Sequence, residues 1–216
     1  MKVTIKSVTI VIAAALILSV SLTSFAQTSR FGISLNSLTT NFNYGKSNSA
    51  MQSYKQNFRG LQAGVSYQIG VAPMFSIVPE LYYAIKGGTL TSKNPITINK
   101  STLRLNTLDM PVLARVHFNQ FHINAGPYVA YTLSARLKTE GSATIPEAKV
   151  SMPLGVNGLK LWDYGLQAGV GYDFRLKKAT LALDARYGYG MANLSDGVER
   201  YNRVFNLSLV IRKAGK

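Results

Sequence analysis

Apolar side chains recur at every second position along most of this chain, with small or polar residues between them. From Leu61, one face carries Leu61, Ala63, Val65, Tyr67 and Ile69, and the other Gln62, Gly64, Ser66 and Gln68. The same alternation returns over 75–86, 108–118, 121–133, 162–174, 181–190 and 204–211, and more briefly at Phe31, Ile33 and Leu35. A period of two is the signature of strands, not helices. Each full run has the length of about 9 to 11 residues that a tilted strand needs to cross a bilayer core.

Short and long connections take turns. Val71-Ala72-Pro73, Asn119-Gln120 and Arg175 to Lys178 are short; 39–58, 87–102, 135–161 and 191–202 are long. Such asymmetry is expected of an outer-membrane barrel with short periplasmic turns and longer outer loops. It predicts an all-β fold, an eight-stranded antiparallel transmembrane up-and-down barrel with both termini periplasmic. Followed up and down the chain, Phe31, Tyr67, Phe75, Phe118, Phe121, Tyr172 and Phe174 fall at one barrel end. Phe58, Tyr83, Trp162, Tyr164, Tyr187 and Tyr189 fall near the other. Two aromatic girdles suit two membrane interfaces. In a soluble barrel the second face would meet water and be charged; here it is rich in Gly, Ala, Ser, Gln and Asn, as a narrow lumen requires.

The N-terminus sets the compartment. Lys2 and Lys6 precede an apolar run from Val8 to Val20, and Ser24-Phe25-Ala26 supplies small residues for cleavage before Gln27. Residues 1–26 read as a signal peptide and 27–216 as one barrel domain. The apolar run is shorter than the roughly 20 residues of a spanning helix. With no cysteine, neither a disulfide nor a lipid-modified N-terminal cysteine is available.

Composition then narrows the partners. The net charge of +15 falls to +13 once Lys2 and Lys6 are removed. An exported chain meets outer-membrane lipid and lipopolysaccharide rather than nucleic acid, so acidic headgroups are the expected counterpart. Hydrophobic residues at 47% against 15% charged fit a protein that is apolar on its outer surface as well as inside.

Charged residues on the inward face are Glu80, Lys86, Asp109, Arg115, Asp163, Asp173, Asp184 and Arg186. Eight strands leave a lumen that side chains nearly fill, and buried charge must be paired there. A structural lumen network of Glu80, Asp109, Arg115, Asp163, Asp184 and Arg186 is expected, with Glu80 facing Arg115 on the adjacent strand. The competing readings of these groups are an ion path or catalytic carboxylates. His117 and His122 flank a turn and point inward, but two histidines without a third ligand make a weak metal signal, so no metal or cofactor is expected. Gly165, Gly169 and Gly171 lie within a strand with no following helix. They read as space for large lumen neighbours, not as a phosphate loop. In the loops, Lys93, Lys100, Lys138 and Lys149 offer basic surface to lipopolysaccharide.

Three phrases carry a resemblance: Val78-Pro79-Glu80-Leu81-Tyr82-Tyr83, Leu108-Asp109-Met110-Pro111-Val112-Leu113 and Ala125-Gly126-Pro127-Tyr128-Val129. With Trp162-Asp163-Tyr164-Gly165-Leu166 and Gly169-Val170-Gly171-Tyr172, they resemble the strand signatures of the PorT-like outer-membrane β-barrel family, often labelled porin family. The resemblance implies a barrel of about eight strands and, for one branch, service to a secretion system. Pro79, Pro111 and Pro127 each remove a ladder hydrogen bond from a barrel without edges, so bulges or water are expected beside them. The last strand runs on into Arg212-Lys213 rather than ending on an aromatic, with Phe205 as the substitute insertion signal. The expected role is non-enzymatic: a structural or accessory component of an envelope or secretion assembly. The alternatives are a passive small-solute pore and a lipid-modifying barrel enzyme.

Overall fold

The computed structural model describes residues 27–95, 98–141, 146–155 and 158–213. The leader read from residues 1–26 lies outside them. Ten strands form: β1 (Gln27–Asn43), β2 (Lys55–Gln56), β3 (Phe58–Ala72), β4 (Phe75–Leu90), β5 (Ser101–Phe118), β6 (Phe121–Thr139), β7 (Ala148–Ser151), β8 (Trp162–Arg175), β9 (Ala179–Gly190) and β10 (Tyr201–Lys213). All pairings are antiparallel, and the ring runs β1-β3-β4-β5-β6-β8-β9-β10. It closes where β1 pairs β10, from Gly32↔Arg212 to Asn43↔Tyr201. Eight long strands therefore make a closed barrel, while β2 and β7 extend β4 and β6 beyond its rim.

Alternation decides which face is which. Ile33 is 62% exposed and its neighbour Ser34 3%. Leu61, Leu166, Val170 and Ile211 likewise point outward, while Gln62, Asn124, Thr132 and Ser208 are buried. Apolar outside and polar inside is the arrangement of a barrel solvated by lipid. No described helix is long and apolar enough to cross a membrane; the strands do the crossing.

The two aromatic girdles sort as the alternation predicts. At the turn end, Phe118, Phe121 and Tyr172 meet in register, with Phe121 and Tyr172 edge to face at 4.8 Å. At the loop end, Tyr131 and Trp162 pack edge to face at 4.9 Å, and Arg203 covers the Tyr189 ring at 3.6 Å.

Three expectations change. The first strand is not short: β1 runs 17 residues, its upper half polar because Asn36 and Thr40 face the lumen and Thr39 and Asn41 lie beyond the apolar band. The prolines need no bulge. Pro79↔Val112 and Tyr82↔Asp109 share one register, as do Pro111↔Tyr128 and Ala114↔Ala125, and Pro127 pairs with Leu166 in an unbroken ladder. The bulge of β5 lies elsewhere, between Asn106 and Thr107. Phe205 sits opposite Thr39 and Tyr187 toward the loop end, so β10 leaves the turn end through Ile211, Arg212 and Lys213.

Above the lumen the loops fold onto each other. Phe42, Tyr44, Met51, Leu90, Leu103, Leu105, Ala135, Leu159 and Leu194 form one buried apolar cluster across the loop end. The first and last loops are tied together, since the Glu199 N–H donates to Asn48 Oδ1 at 2.8 Å. Lys160 N–H donates to Leu194 O at 2.8 Å and joins the last two long loops. Burying this much apolar surface outside the membrane favours an ordered cap over free loops.

Candidate functional site

Three places combine polar or charged groups in a defined geometry: the lumen, its turn-end mouth, and a groove on the outer surface of β5, β6 and β7.

The lumen is filled by a ladder of buried charge. Arg186 reaches across it, its Nη1 donating to Glu80 Oε2 at 2.6 Å and its Nη2 to Asp184 Oδ2. β4 and β9 stand four apart in a ring of eight, so the Glu80–Arg186 bridge spans the barrel's diameter. Asp184 also takes Arg115 Nη2 at 3.3 Å and His122 Nε2 at 2.7 Å. Arg115 binds Asn124 Oδ1 through Nε at 2.6 Å. The expected Glu80–Arg115 pair is therefore not made. Arg115 stands opposite Ser76, four residues down β4 from Glu80, and it pairs with Asp184 instead.

Toward the loop end, Asp109 collects Lys86 Nζ at 3.0 Å, Gln62 Nε2 at 3.1 Å and Thr107 Oγ1 at 2.7 Å. Asp163 accepts from Asn202 Nδ2 at 2.7 Å and from the Tyr128 hydroxyl at 3.2 Å, with no cation at ion-pair distance among the described residues. The cavity between these groups, lined by Tyr82, Lys86, Asp109 and Arg186, has a volume of about 30 Å³, room for about one water molecule. Small residues make the ladder possible. A Cβ on Gly171 would lie 2.2 Å from Asp184 Oδ1, one on Gly169 2.7 Å from Arg186 Cγ, and one on Gly165 2.9 Å from Tyr128 Cε1.

One member of the ladder escaped the sequence reading. Arg212 is 1% exposed and donates to Asp173 Oδ1 at 3.2 Å. It continues the inward series Asn206, Ser208, Val210, and extending the alternation by one step would have found it. At the mouth, His117 and His122 face each other across the β5–β6 turn, ring centroids 6.0 Å apart. His117 Nε2 lies 3.1 Å from Ser76 Oγ and 3.2 Å from Gln68 Nε2. Asp173 joins them: His117, His122 and Asp173 each present a donor atom within 4.8 Å of the others. The third potential ligand, absent from the sequence reading, comes from β8.

Outside the membrane region the basic surface is rearranged relative to expectation. Lys100 is bridged by Glu140 at 2.8 Å, and Glu147 takes both Lys138 at 3.0 Å and Lys149 at 3.1 Å. These two lysines hold the Glu147 carboxyl below its ordinary range. Lys93, at positive φ, makes no ion pair among the described residues. Arg104 and Arg136, directly opposed on β5 and β6 and both exposed, likewise make no ion pair among the described residues. They line a groove of about 600 Å³ with Phe58, Thr102, Lys138 and Lys149. In the cap, burial pushes the Tyr44 hydroxyl up, opposed by Arg200, whose own value burial lowers.

Residues 25–196 match the family described as outer membrane protein beta-barrel domain. No curated protein matches the chain. Among solved structures it is similar to Neisserial surface protein A, NspA, at 10% identity and a TM-score of 0.48, covering 87% of this chain and 99% of that one. It is also similar to Ail, the attachment invasion locus protein of Yersinia pestis, at 12% identity and 0.44, with the same coverage. A third is OprG from Pseudomonas aeruginosa, at 12% identity and 0.42, covering 87% of this chain and 93% of that one. The family match spans most of the chain and takes in β1 to β9 of the lipid-facing barrel: the chain belongs to the outer membrane protein beta-barrel domain family.

Proposed function

We propose that this chain is a non-enzymatic outer-membrane barrel that acts as a structural or accessory component of an envelope or secretion assembly, through its outer surfaces rather than its lumen. The observation that carries this reading is the bridge from Glu80 to Arg186 across the whole lumen, beneath the apolar loop cap. A cavity that holds about one water molecule offers no route to a hydrated solute. The strand phrases around Pro79, Pro111 and Pro127 support a PorT-like relation and an accessory role. In this reading the leader is removed, both termini are periplasmic, and the cap faces outward.

The lipid partner follows from the outer groove. Arg104 lies four residues beyond Leu108 on β5, and Leu108 pairs with girdle residue Tyr131. At about 3.3 Å per residue and a tilt near 40°, that is about 10 Å above the girdle, the level of headgroups. Two guanidinium groups opposed across a ladder repel each other, and an anion between them reverses the sign. Phosphate groups of lipopolysaccharide supply that anion.

The test is photo-crosslinking in cells from Lys93, Lys149 and the Asn119-Gln120 turn, with single-channel recording of the purified barrel. A defined protein partner and a silent bilayer support the proposal. Steady conductance would replace it with the pore reading, and altered lipid A on deletion with the enzyme reading. Crosslinks confined to lipid would leave a stand-alone barrel and remove the assembly role.

A further inference from the structure

The turn-end mouth contains a group that the ion-pair ladder does not use. His122 Nε2 is 2.7 Å from Asp184 Oδ1, which fixes that nitrogen as the donor. In the neutral ring its other nitrogen, Nδ1, then carries the lone pair. It is buried, has no hydrogen-bond partner among the described residues and lies 3.6 Å from Asp173 Oδ1. A fully buried imidazole nitrogen without a partner costs free energy unless something binds it.

We propose that His117, His122 and Asp173 form a binding site for a divalent transition-metal ion of the zinc class. Each supplies one donor atom, and the three lie within 4.8 Å of one another. Donors of a tetrahedral zinc site stand about 3.3 Å apart, so binding draws these atoms together by at most about 1.5 Å. His117 has room to move, being only partly buried at the mouth, in a groove of about 390 Å³ that also gives water access to the open position. The Asp184–His122 contact is the carboxylate–imidazole support that orients metal-bound histidines.

The local charge selects the kind of ion. Asp173 and Asp184 face Arg212 and Arg115, with Arg212 Nη1 3.2 Å from Asp173 Oδ1. The carboxylates are thus balanced, and a hard cation that depends on negative field and oxygen ligands gains little. Two imidazoles and one carboxylate oxygen suit zinc, cobalt or nickel. Neither histidine alone, nor the pair, makes this set; the strand order brings Asp173 of β8 to the β5–β6 turn, which Asp173 N–H also touches by donating to Gln120 O at 2.8 Å.

The experiment is titration of the untagged, refolded chain 27–216 with Co²⁺, followed by its visible ligand-field absorption, and then with Zn²⁺ in competition. The chain has two histidines and no cysteine, so an imidazole-ligated signal can come only from His117 and His122. One equivalent per chain is expected, displaced by Zn²⁺ and unaffected by excess Ca²⁺ or Mg²⁺. His117→Ala and Asp173→Asn should each weaken it by about tenfold or more, in line with the loss of a ligand or its support. His117→Gln, which keeps the hydrogen bonds to Gln68 and Ser76, guards against a folding defect and should lose the signal equally. Absence of saturable Co²⁺ absorption in the folded wild-type chain, or equal affinity in the His117 variants, would overturn the site.

Discussion

Removing the cation from the lumen-spanning bridge is the sharpest test of a dry, filled barrel. Arg186 and Glu80 side chains are each 2% exposed or less and meet at 2.6 Å. Arg186→Met leaves Glu80 with no cation at ion-pair distance, while Asp184 keeps Arg115 and His122. Two unit charges about 4 Å apart attract by about 4 kcal/mol at an effective dielectric of 20. Orphaning one member of a buried pair costs about 3–5 kcal/mol. Arg186→Met should therefore destabilise the barrel by about 3–5 kcal/mol. Glu80→Gln added to it removes the stranded carboxylate and should recover most of that loss, so the two changes must be strongly non-additive. Urea-dependent folding into phospholipid vesicles measures this, with Trp162, the only tryptophan and lipid-facing, as the fluorescent probe. Additive losses, or a cost below about 1 kcal/mol for Arg186→Met, would mean that water screens the bridge. The lumen would then be hydrated and open to a small solute.

Further outcomes follow from the same geometry. Gly171→Ala drives a methyl to 2.2 Å from Asp184 Oδ1 and 2.3 Å from His122 Nε2, so a loss of about 2 kcal/mol or more is expected in the same folding assay. Gly188→Ala, whose nearest neighbour is Val204 at 3.5 Å, should fold like wild type; equal effects would refute the packing account. Arg136→Gln relieves the opposed guanidinium pair. It should stabilise the lipid-free barrel by a few tenths of a kcal/mol and reduce lipopolysaccharide retained on purification, and unchanged retention would count against the groove. Glu147 has a depressed folded value, so its bridge to Lys138 and Lys149 is complete above the ordinary glutamate range and is lost as pH falls through the lower one. The difference in melting temperature between wild type and Glu147→Gln should accordingly vanish on acidification; a difference that grows in acid would contradict the sign.

How much of this was legible in the sequence depends on the range of each contact. The lipid-facing side of every full strand could be read, because Ile33, Leu35 or Val170 needs only its own neighbours to declare its face. The sequence pattern shortens β1 because the outward positions of its upper half, Ser37, Thr39, Asn41 and Asn43, are polar; Leu38 and Phe42 turn inward beside Thr40, whose Oγ1 donates to Gly87 O at 2.6 Å. The upper end of β6 beyond Leu133, and β7 paired to it, leave no such pattern, since Arg136 and Lys138 occupy outward positions that would be apolar within the membrane.

Lumen partners were a different matter. Charge counting placed Glu80, Arg115, Asp184 and Arg186 inside, and their burial agrees. Which carboxylate meets which guanidinium depends on stagger between strands and on reach across the ring, and neither is written in local alternation. Glu80 skipped the neighbouring wall for the opposite one because Gly169 clears space for Arg186, whose Cγ would stand only 2.7 Å from a Cβ there. The glycine at 169 and the arginine at 186 are thus one feature, read in the sequence as two. The same reasoning applies at the mouth: Gly171 opens the room in which His122 reaches Asp184, and that contact turns the unused nitrogen of His122 toward His117 and Asp173. In a barrel this narrow Gly165, Gly169 and Gly171 each mark the place where a large or charged side chain of the adjacent strand enters the lumen, whereas Gly188 faces no such neighbour. A lumen glycine therefore points to a buried partner only where a Cβ would meet that partner's side chain.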